Sequence, residues 1–590
     1  MILQALTAYY EQLLRLGKLA APGWDSNFKV SFALRINDSG QLLDLIDYRQ
    51  MIPKGKKEVL SPAEIPVPAH VKRSSGVAAN FLCDNSTYIL GADDKGKPDR
   101  AIQCFEACAA LHHKILDGVD VPAAKAVLNF FDSWNPAEAQ NHPLLTERWK
   151  ELTGNANLIF EYEAPDGNHE RLTDDSAIKA AWQNYYSDSD PNATTVQCLV
   201  TGKEAPLALI HPSIKGVMGA QSSGAALVSF NAPSYCSYEH EQGANAPISE
   251  YAAFAYTTAL NTLIADKDHC KILGDMTVVC WAENASASAA SFGMAGMFGI
   301  PENSGVKDDD LIHALEQLSR GKEINWKGDT LLPGQHFYVL GLAPNAARIS
   351  VRFFLRDTLG GFAEHLQQHF DALEIVKPSF DDRKVLSVWS LARETVNLNE
   401  RTPSPSPQLA GDLLRAVLTG GRYPATLLNG VSIRIRAEHN VTRGRAAILK
   451  AYYLRNKQNN QTLIPKEVLT VNLNENSNYT PYVLGRIFSV LEAIQNSANP
   501  TINTTIKDRY FNSACATPAM VFPTLINLAQ KHLNKLSPAL ETTYNKQLTE
   551  LFSKIDKNYP ARMTLPEQGA FQIGYYHQTQ KRFTKKNEEE

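Results

Sequence analysis

The hydrophobic and polar pattern predicts a short amphipathic helix at the start of the chain. Leu3, Leu6, Tyr10, Leu13 and Leu14 recur at the spacing that places side chains on one helix face. A hairpin follows in the prediction, because apolar-rich runs at 28–36 and 41–48 flank a turn-forming stretch at 37–40. Residues 274–283 are almost wholly apolar and are typical of a buried strand.

The middle of the chain alternates between predicted helix and strand. Residues 100–182 have a mostly helical pattern, and Ser249 can cap a helix that runs from Glu250 to about Ala265. Residues 196–232 favour strands joined by glycine-rich connections. Residues 284–306 are rich in Ser, Ala and Gly, and we expect a mobile loop there.

A strand with clean alternation is predicted at residues 347–356. Four apolar side chains would point to one face, and three arginines, a serine and a phenylalanine to the other. This is either a half-buried strand with a wet face or a basic sheet face suited to a sugar–phosphate backbone. Residues 432–436 repeat the pattern briefly. In the strand at 347–356, the apolar face comprises Ile349, Val351, Phe353 and Leu355, and the opposite face comprises Arg348, Ser350, Arg352, Phe354 and Arg356.

The last 110 or so residues carry a strongly helical pattern. Thr517 can cap a helix with Pro518 at its first position, and Thr564 with Glu567 has capping-box spacing. Four short amphipathic helices predict a four-helix bundle. The apolar stripes comprise Leu484, Ile487, Phe488, Leu491 and Ile494, then Val521, Leu525, Leu528 and Leu533, then Tyr544, Leu548, Leu551 and Ile555.

These patterns predict an α+β protein in which a large mixed N-terminal domain precedes a C-terminal four-helix bundle. The proline-rich stretch 401–407 cannot form a helix or an inner strand and marks a boundary or an extended crossing. We expect an α+β domain at 1–380, a basic connecting region at 381–475 and the helical bundle at 476–590.

Composition places the chain among ordinary globular proteins. It has 590 residues, a formal net charge of −4 and eight scattered cysteines, which favours free thiols in a reducing compartment. The first residues of the chain, up to Glu11, are too polar for a signal peptide. No apolar run reaches the roughly 20 residues that a membrane span requires. We expect a cytoplasmic protein that needs no cofactor.

Positive charge is concentrated toward the end of the chain. Residues 401–460 contain ten Lys or Arg against two acidic residues, a local net charge of +8. Residues 481–587 contain thirteen against six, a net charge of +7. Such asymmetry is typical of a nucleic-acid contact region, although a solvated basic face without a partner would look the same.

Catalytic motifs are scarce. His112, His113 and Asp117 are close in sequence, but adjacent histidines on a helix point about 100° apart. The acidic run Asp308-Asp309-Asp310 is more typical of a solvated helix start than of a metal site. No phosphate-binding loop or nucleophile elbow is present. We therefore expect neither a catalytic nor a metal site, with a metal-dependent nucleic-acid enzyme as the alternative.

Two polar loops have the chemistry of nucleic-acid contacts. Residues 72–76, Lys-Arg-Ser-Ser-Gly, combine charge, hydroxyls and a flexible backbone, which suits a phosphate or an ordinary exposed turn. In 215–231, glycines allow a close approach of the backbone to a ligand, and neutral amide and hydroxyl groups can read base edges. A tight turn before a strand would explain the same glycines.

These stretches resemble the large-subunit family of the subtype I-C CRISPR effector. The block at 219–225, Gly-Ala-Gln-Ser-Ser-Gly-Ala, with 227–231, Leu-Val-Ser-Phe-Asn, is the most specific. The matches occur in one order along essentially the whole chain. The others lie at 1–6, 29–34, 73–77, 80–85, 484–488, 507–511, 516–518, 568–569 and 574–578.

The resemblance implies a non-catalytic subunit of a crRNA-guided surveillance complex. Such subunits recognise the protospacer-adjacent motif in duplex DNA, help to open the duplex, hold the displaced strand and present the complex to a separate helicase-nuclease. The implied partners are crRNA, backbone and crRNA-end-binding subunits, double-stranded target DNA and the helicase-nuclease. A purely structural assembly subunit is a third interpretation.

Residue chemistry within the matched blocks gives the expected contacts. Base-edge or minor-groove contacts near the motif are expected from Gln221, Ser222, Ser223 and Asn231, and phosphate or groove contacts from Lys72, Arg73, Ser74 and Ser75. Further DNA contacts near the motif are expected from Asn80, Lys215, Gly219 and Gly224. Nucleic-acid backbone contacts are expected from Arg348, Arg352, Arg356, Arg434, Arg436, Arg443 and Arg445, and contacts with the displaced strand from Lys507 and Arg509.

The resemblance further implies a separate small subunit made by internal translation of the same gene. The stretch before the predicted bundle has no methionine, so Val471 is the candidate start, through a codon other than ATG. This remains a hypothesis, and the intact masses of the components of a purified complex decide it.

Overall fold

The structure is a computed structural model of the chain. It describes residues 1–54, 57–71, 76–92, 97–154, 156–187, 194–301, 304–397, 399–459, 461–555 and 558–583. The chain divides into two compact units. Unit 1 comprises Met1–Tyr9, His211–Ser229 and Thr257–Glu590, and unit 2 comprises Tyr10–Ile210 and Phe230–Tyr256. The predicted boundaries near 380 and 475 both fall inside unit 1.

The division passes through two helices, α1 (Ile2–Arg15) and α7 (Glu250–Ala265). The first is the helix predicted from the leucine stripe. The second begins directly after Ser249, whose hydroxyl accepts a hydrogen bond from the amide of Ala252 at 3.3 Å, which confirms the predicted cap.

Unit 2 is built on one main sheet with helices packed against it. The order is β3-β2-β8-β7, with β9 paired to β8; β2 and β8 run parallel. The strands are β1 (Trp24–Val30), β2 (Phe32–Ile36), β3 (Leu42–Asp47), β4 (Gln50–Lys54), β5 (Lys57–Ser61), β6 (Ala63–Pro68), β7 (Cys83–Asn85), β8 (Asn157–Glu163), β9 (His169–Arg171), β10 (Thr195–Gln197) and β11 (Glu204–Pro206). The helices are α2 (Ser86–Ile89), α3 (Pro98–Leu116), α4 (Pro122–Ser133), α5 (Trp149–Thr153) and α6 (Ser176–Ser187).

The predicted hairpin is confirmed as β2 and β3. Gly40, at the end of its turn, has a φ of +77°, and a Cβ there would lie 2.2 Å from the amide nitrogen of Phe130. Only glycine fits this turn, because the turn is pressed against α4. Phe32, Leu34 and Ile36 of β2 are fully buried, so this hairpin carries part of the core of unit 2.

Unit 1 contains an antiparallel sheet in the order β12-β13-β16-β17 and most of the helices. The strands are β12 (Cys270–Leu273), β13 (Met276–Ala282), β14 (Ile324–Trp326), β15 (Asp329–Leu331), β16 (His336–Asn345) and β17 (Arg348–Thr358). The helices are α8 (Ala287–Phe298), α9 (Asp308–Ser319), α10 (Leu359–Leu373), α11 (Val388–Arg393), α12 (Pro407–Leu418), α13 (Ala425–Glu438), α14 (Arg443–Arg455), α15 (Thr480–Ala498), α16 (Ile506–Ala516), α17 (Pro518–Leu533), α18 (Pro538–Phe552) and α19 (Leu565–Lys581).

The central strands of this sheet are buried on both faces. Every residue of β13 is buried, which confirms the strand predicted from the apolar run. The expected loop at 284–306 is wrong, because residues 287–298 form the buried helix α8. A Cβ on Gly293 would lie 2.4 Å from the Phe337 ring, and one on Gly296 would lie 2.7 Å from Leu366. The small side chains therefore permit close packing.

Other local predictions fail where tertiary contacts decide the structure. Residues 196–232 form only two short strands. The stretch 100–182 is mostly helical as predicted, although β8 and β9 lie within it. Arg434 and Arg436 lie on helix α13 and not on a strand. The stretch 476–590 contains α16 in addition to the four predicted helices. The overall α+β class is confirmed.

Helices α15 and α19 pack with their backbones in close approach. A Cβ on Gly485 would lie 2.0 Å from the carbonyl oxygen of Phe571, and one on Gly574 would lie 2.2 Å from that of Tyr482. The predicted capping box at the start of α19 is confirmed, because Glu567 accepts from the Thr564 amide at 2.7 Å. Among the described residues, no helix combines the length and hydropathy needed to cross a membrane.

The close approach of α15 and α19 predicts a large effect of one methyl group. Gly485→Ala should destabilise the protein by about 2 kcal/mol or more, because the new Cβ overlaps backbone that cannot move aside. Gly411→Ala is the control, since its Cβ would meet only the flexible Met276 side chain, at 3.5 Å from Cε and 3.8 Å from Sδ. Chemical denaturation should show Gly411→Ala unchanged or stabilised by up to about 1 kcal/mol. Equal midpoints for the two variants would refute the packing argument.

Candidate nucleic-acid interface

Residues 211–229 form a glycine arm in unit 1, and this arm carries six of the twelve residues predicted to contact the motif. Ile214 and Ala225 face each other in an antiparallel bridge. Each donates its amide to the other's carbonyl oxygen at 2.9 Å. The arm therefore folds back on itself and places residues 215–224 in a closed loop.

Side chains from α7 and β13 hold the arm in place. The Asn261 amide group accepts from the Lys215 amide at 2.8 Å and donates to the Ser213 carbonyl oxygen at 3.2 Å. The Met218 amide donates to the Thr277 hydroxyl at 3.0 Å. Because backbone amides of the arm are paired with side chains of regular elements, the loop has a defined position on the sheet.

Two glycines of the arm have a backbone conformation and a lack of space that disfavour any residue with a side chain. Gly224 has a φ of +102°, and a Cβ there would lie 2.7 Å from the Cβ of Ser213. Gly219 has a φ of +76°, and its Cβ would lie 3.2 Å from the Pro344 ring. These glycines close the turn and bring it against β16, so their role in the arm is structural.

The tip of the arm presents neutral polar groups to solvent. Gln221, Ser222 and Ser223 are exposed, and Lys215 is exposed on the same arm. The Gln221 carbonyl oxygen accepts from the Gly224 amide at 2.9 Å, which fixes the turn. The side chains of residues 221–223 make no hydrogen bond within the described part of the chain. They are therefore available donors and acceptors on a restrained backbone.

The arm also joins the edge of strand β17. Ala226 donates to the Ala347 carbonyl oxygen at 3.1 Å and accepts from the Ile349 amide at 3.0 Å, in a parallel bridge with Arg348. The tip lies three residues before Ala226 in the chain. The structure thus brings the polar tip beside the strand that carries the predicted arginines.

A β-bulge at Arg352 changes where those arginines point. Leu342 pairs with Val351, but Gly341 pairs with Phe353, so Arg352 is an extra residue in the ladder. Ile349 and Val351 therefore share a face with Leu342, and Phe353 lies on the opposite face. The predicted single apolar face and single arginine face are wrong, because the bulge inverts the alternation halfway along the strand.

The three arginines of β17 have different surroundings. Arg348 lies on one face at the start of the strand. Arg352, half exposed, pairs with Asp275 at 3.5 Å. Arg356 lies on the opposite face from Arg348, with its guanidinium 3.3 Å from His336 and 5.9 Å from the centre of the Tyr338 ring. Arg348 and Arg352 are nearest the arm along the strand.

A comparison with protein-family models identifies the chain. Residues 6–583 match the model described as CRISPR-associated protein (Cas_Csd1). The chain belongs to this CRISPR-associated family. A search of curated proteins found no match.

The other residues predicted from the sequence to contact the motif lie outside the arm. Lys72, Arg73, Ser74 and Ser75 fall outside the described residues. Asn231 is exposed and belongs to unit 2.

The expectation for Asn80 needs correction. Its side chain is buried in unit 2 and accepts from the Val71 amide at 2.9 Å. The backbone amide of Asn80 donates to the Asp84 carboxylate at 3.0 Å. Asn80 therefore organises a turn before β7 and is not available to DNA in this conformation.

Two of the predicted backbone-contacting arginines are internal to the fold, which corrects that expectation. Arg445 is 2% exposed and pairs with Glu438 at 2.6 Å and Glu394 at 3.4 Å. Arg443 pairs with Asp381 at 3.1 Å and donates to the Arg383 carbonyl oxygen at 2.6 Å. The guanidinium of Arg383, with a smaller contribution from Arg443, lowers the pKa of Asp381 to about 2. Neither guanidinium has a free surface for a phosphate.

Two further cations of the basic stretch 401–460 have structural roles. Lys450 is buried and donates to the Ala372 and Glu374 carbonyl oxygens at 3.1 and 2.7 Å, closing the C-terminal end of α10. Arg455 donates to the carbonyl oxygens of Ala416, in the last turn of α12, and of Gly421, just after that helix. The local charge of +8 thus overstates the basic surface, because helix ends inside the unit use part of it.

Exposed basic residues come together between α13 and α16. Asn512 on α16 donates to the Arg436 carbonyl oxygen at 2.9 Å and contacts His439 at 3.0 Å. Arg509, exposed, lies one turn before Asn512 on the same helix face. Arg434 pairs with Glu438 at 3.6 Å, and Lys507 lies 3.9 Å from Glu492. Arg436 and Arg509 are therefore the better exposed cations of this group.

His112 and His113 do not form a metal site. His112 is fully buried, accepts from the Leu82 amide at 3.0 Å and contacts the Cys108 carbonyl oxygen at 2.8 Å. Burial lowers its pKa to about 4. His113 instead contacts Asp117 and Asp132 at the surface, at 3.1 and 3.0 Å. Within the described ranges, no group of three His, Cys, Asp or Glu side chains is placed to hold a metal.

Sequence reasoning missed the residues that position the arm. Asn261 lies 46 residues from Lys215, and Thr277 lies 59 from Met218. Neither stands in a motif, and both carry ordinary polar side chains on predicted regular elements. Only the packing of the arm on the sheet shows their role.

The contacts of Asn261 predict how firmly the arm is held. Asn261→Ala should cost the arm about 1.5 kcal/mol of local stability, or roughly tenfold faster exchange of the Lys215 amide hydrogen. Asn261→Asp keeps the acceptor and removes the donor, so it should give an intermediate rate. Hydrogen exchange followed by mass spectrometry measures both. Unchanged exchange of the arm in Asn261→Ala would show that other contacts hold it.

Proposed function

We propose that this chain is the large subunit of a crRNA-guided type I-C surveillance complex and reads the protospacer-adjacent motif in duplex DNA. The observation that carries the proposal is the exposed tip at 221–223, held by the glycine arm beside the arginine-bearing edge strand β17. Membership of a CRISPR-associated family supports the setting. The chain would act in the cytoplasm, where foreign DNA and guide RNA meet.

The polar groups of the tip suit contacts with base edges, and the arginines of β17 suit phosphate contacts that position the chain on the duplex. An amide such as Gln221 can both donate and accept, as the edge of adenine requires, and serine hydroxyls can adapt to either polarity. Arginines beside the tip would contact phosphates and fix the register without reading sequence. Because the arm is restrained by Asn261 and Thr277, little conformational freedom would be lost on binding.

The cations on α13 and α16 suit a different contact. Arg436 and Arg509 are exposed on neighbouring helices, and basic grooves track single strands largely without sequence preference. We assign them to the displaced strand, or to the guide, as the duplex opens. Lys507 would add charge there despite its proximity to Glu492.

The proposed role is binding and recruitment, not catalysis. Guide pairing would read the long target sequence, and this chain only the short flanking motif. Its partners would be crRNA, backbone and crRNA-end-binding subunits, small subunits from the same gene, and a separate helicase-nuclease that cuts. A purely structural subunit would bind duplexes that differ only in the flanking motif equally well.

The first test removes one amide from the tip. Gln221→Ala in the assembled complex should weaken binding to targets with the correct flanking motif by about 1–3 kcal/mol, because one bidentate contact is lost. Binding to targets with a wrong motif should hardly change. Gln408→Ala, an exposed glutamine at the start of α12, is the control. If discrimination between motifs survives in Gln221→Ala, the assignment of Gln221 fails.

The second test concerns the charge on α16. Arg509→Gln should lower the slope of log affinity against log salt by about 0.7–0.9, the contribution of one phosphate contact. Motif discrimination should stay intact, since a phosphate contact carries no sequence information. Arg320→Gln, an exposed arginine paired with Glu316 at 2.6 Å, is the matched control. A slope identical to that of the wild type would rule out a phosphate contact for Arg509.

A further inference from the structure

A loop in unit 2 has an uncommon backbone conformation. Tyr238, Glu239 and Gln242 have φ values of +52°, +61° and +44°. Non-glycine residues rarely adopt this left-handed region, and such residues persist only where their surroundings enforce it. We call residues 235–247 the tyrosine loop.

One side chain enforces this conformation. The Asn245 amide group accepts from the Ser237 amide at 2.9 Å and donates to the His240 and Gln242 carbonyl oxygens, both at 3.0 Å. The turn is thereby fixed from within. A local structure with three hydrogen bonds to one side chain is set before any partner arrives.

The loop is also tied to the preceding part of unit 2. The Gly243 amide donates to the Leu209 carbonyl oxygen at 2.9 Å, and a Cβ on Gly243 would lie 2.1 Å from the Ala208 carbonyl oxygen. This leaves no room for a side chain. The close approach places the loop directly against residues 208–209.

The loop and its neighbour display apolar side chains to solvent. Tyr238 is 92% exposed and Tyr235 49%, while Leu209 is 54% and Ile210 78% exposed. The left-handed backbone at Tyr238 makes the display of this side chain costly. Rigid tyrosines with apolar neighbours are typical of the centre of a protein interface.

The charge around the loop decides which kind of partner fits. Glu239 and Glu241 flank His240 and are exposed, and residues 230–256 contain no lysine or arginine. A phosphate backbone would be repelled there. A protein surface with cationic side chains around an apolar recess would match in both charge and hydropathy.

We propose that the tyrosine loop docks a second protein subunit, with Tyr238 inserted into an apolar recess rimmed by lysine or arginine. The inference rests on the proposed membership of a multi-subunit complex. Tyr238 is the anchor, because its ring is rigid and its loop is already ordered, so little conformational freedom is lost on docking. Glu239 and Glu241 supply the matching charge.

Affinity measurements with the full chain and the separately purified remainder of the complex test this. Tyr238→Ala should weaken assembly about tenfold or more, as expected for an interface anchor. Reversal of both charges by Glu239→Lys with Glu241→Lys should also weaken it. Phe380→Ala removes an aromatic side chain that is 86% exposed in unit 1 and should change nothing. Wild-type affinity for Tyr238→Ala, with an unchanged melting temperature, overturns the proposal.

A photoreactive phenylalanine analogue at position 238 identifies the partner. A crosslink to another protein subunit supports the proposal, whereas a crosslink to RNA, to DNA or to a second copy of this chain overturns it. The two proposals fail in different ways. Gln221→Ala should assemble normally and lose only motif discrimination, while Tyr238→Ala should lose assembly. A wild-type chain that joins no complex would end the proposed function and this inference together.

Discussion

The main-chain pairing of Ala226 with the edge of β17 is the constraint on which the candidate interface depends. A free sheet edge offers unpaired amides and carbonyls. Here, at one end of the strand, the hydrogen bonds to Ala347 and Ile349 fix the arm beside the sheet. The side chains of Asn261 and Thr277 then hold the rest of the arm. Without the edge pairing, the tip at 221–223 would lose its main-chain link to the strand that carries the arginines.

Burial, more than charge count, decides which cations are available to nucleic acid. Arg443, Arg445, Lys450 and Arg455 lie in the most basic stretch of the chain, yet their charges pair with carboxylates or with backbone carbonyls within unit 1. Such groups are costly to move, since removing one partner leaves the other uncompensated. The basic surface is therefore narrower than composition suggests. Arg436 on α13 and Arg509 on α16 are among the cations that stay exposed.

Features fixed by neighbours in sequence were predictable. The turn of the β2–β3 hairpin, the fully apolar strand β13 and the capping box of α19 each follow from a few adjacent residues. The polar composition of the arm's tip was equally visible. The exposure of the tip is consistent with the glycines on either side of it, because the central side chains of a tight surface turn point away from the core.

Features fixed by distant contacts were not predictable. The bulge at Arg352 depends on how β17 pairs with β16, and no local pattern marks it. In the sequence Asn80 is a polar residue that could be exposed, whereas in the structure it is buried and hydrogen-bonded to Val71 and Asp84. The small residues of α8 suggest a loop, yet they allow a helix to approach Phe337 and Leu366 closely. In the bulge and in α8 a long-range contact overrides the local pattern. The partners of Asn80 lie only nine and four residues away, and it is the burial of this turn that the local sequence does not show.

The central claim is that the glycine arm lies against double-helical DNA at the motif beside the target. A structure of the assembled complex bound to target DNA tests it most directly. The account predicts Gln221, Ser222 or Ser223 within hydrogen-bonding distance of base edges in the flanking motif, with Arg348 or Arg352 at the adjacent phosphates. An arm that faces solvent or another protein, while other residues contact the motif, would contradict it.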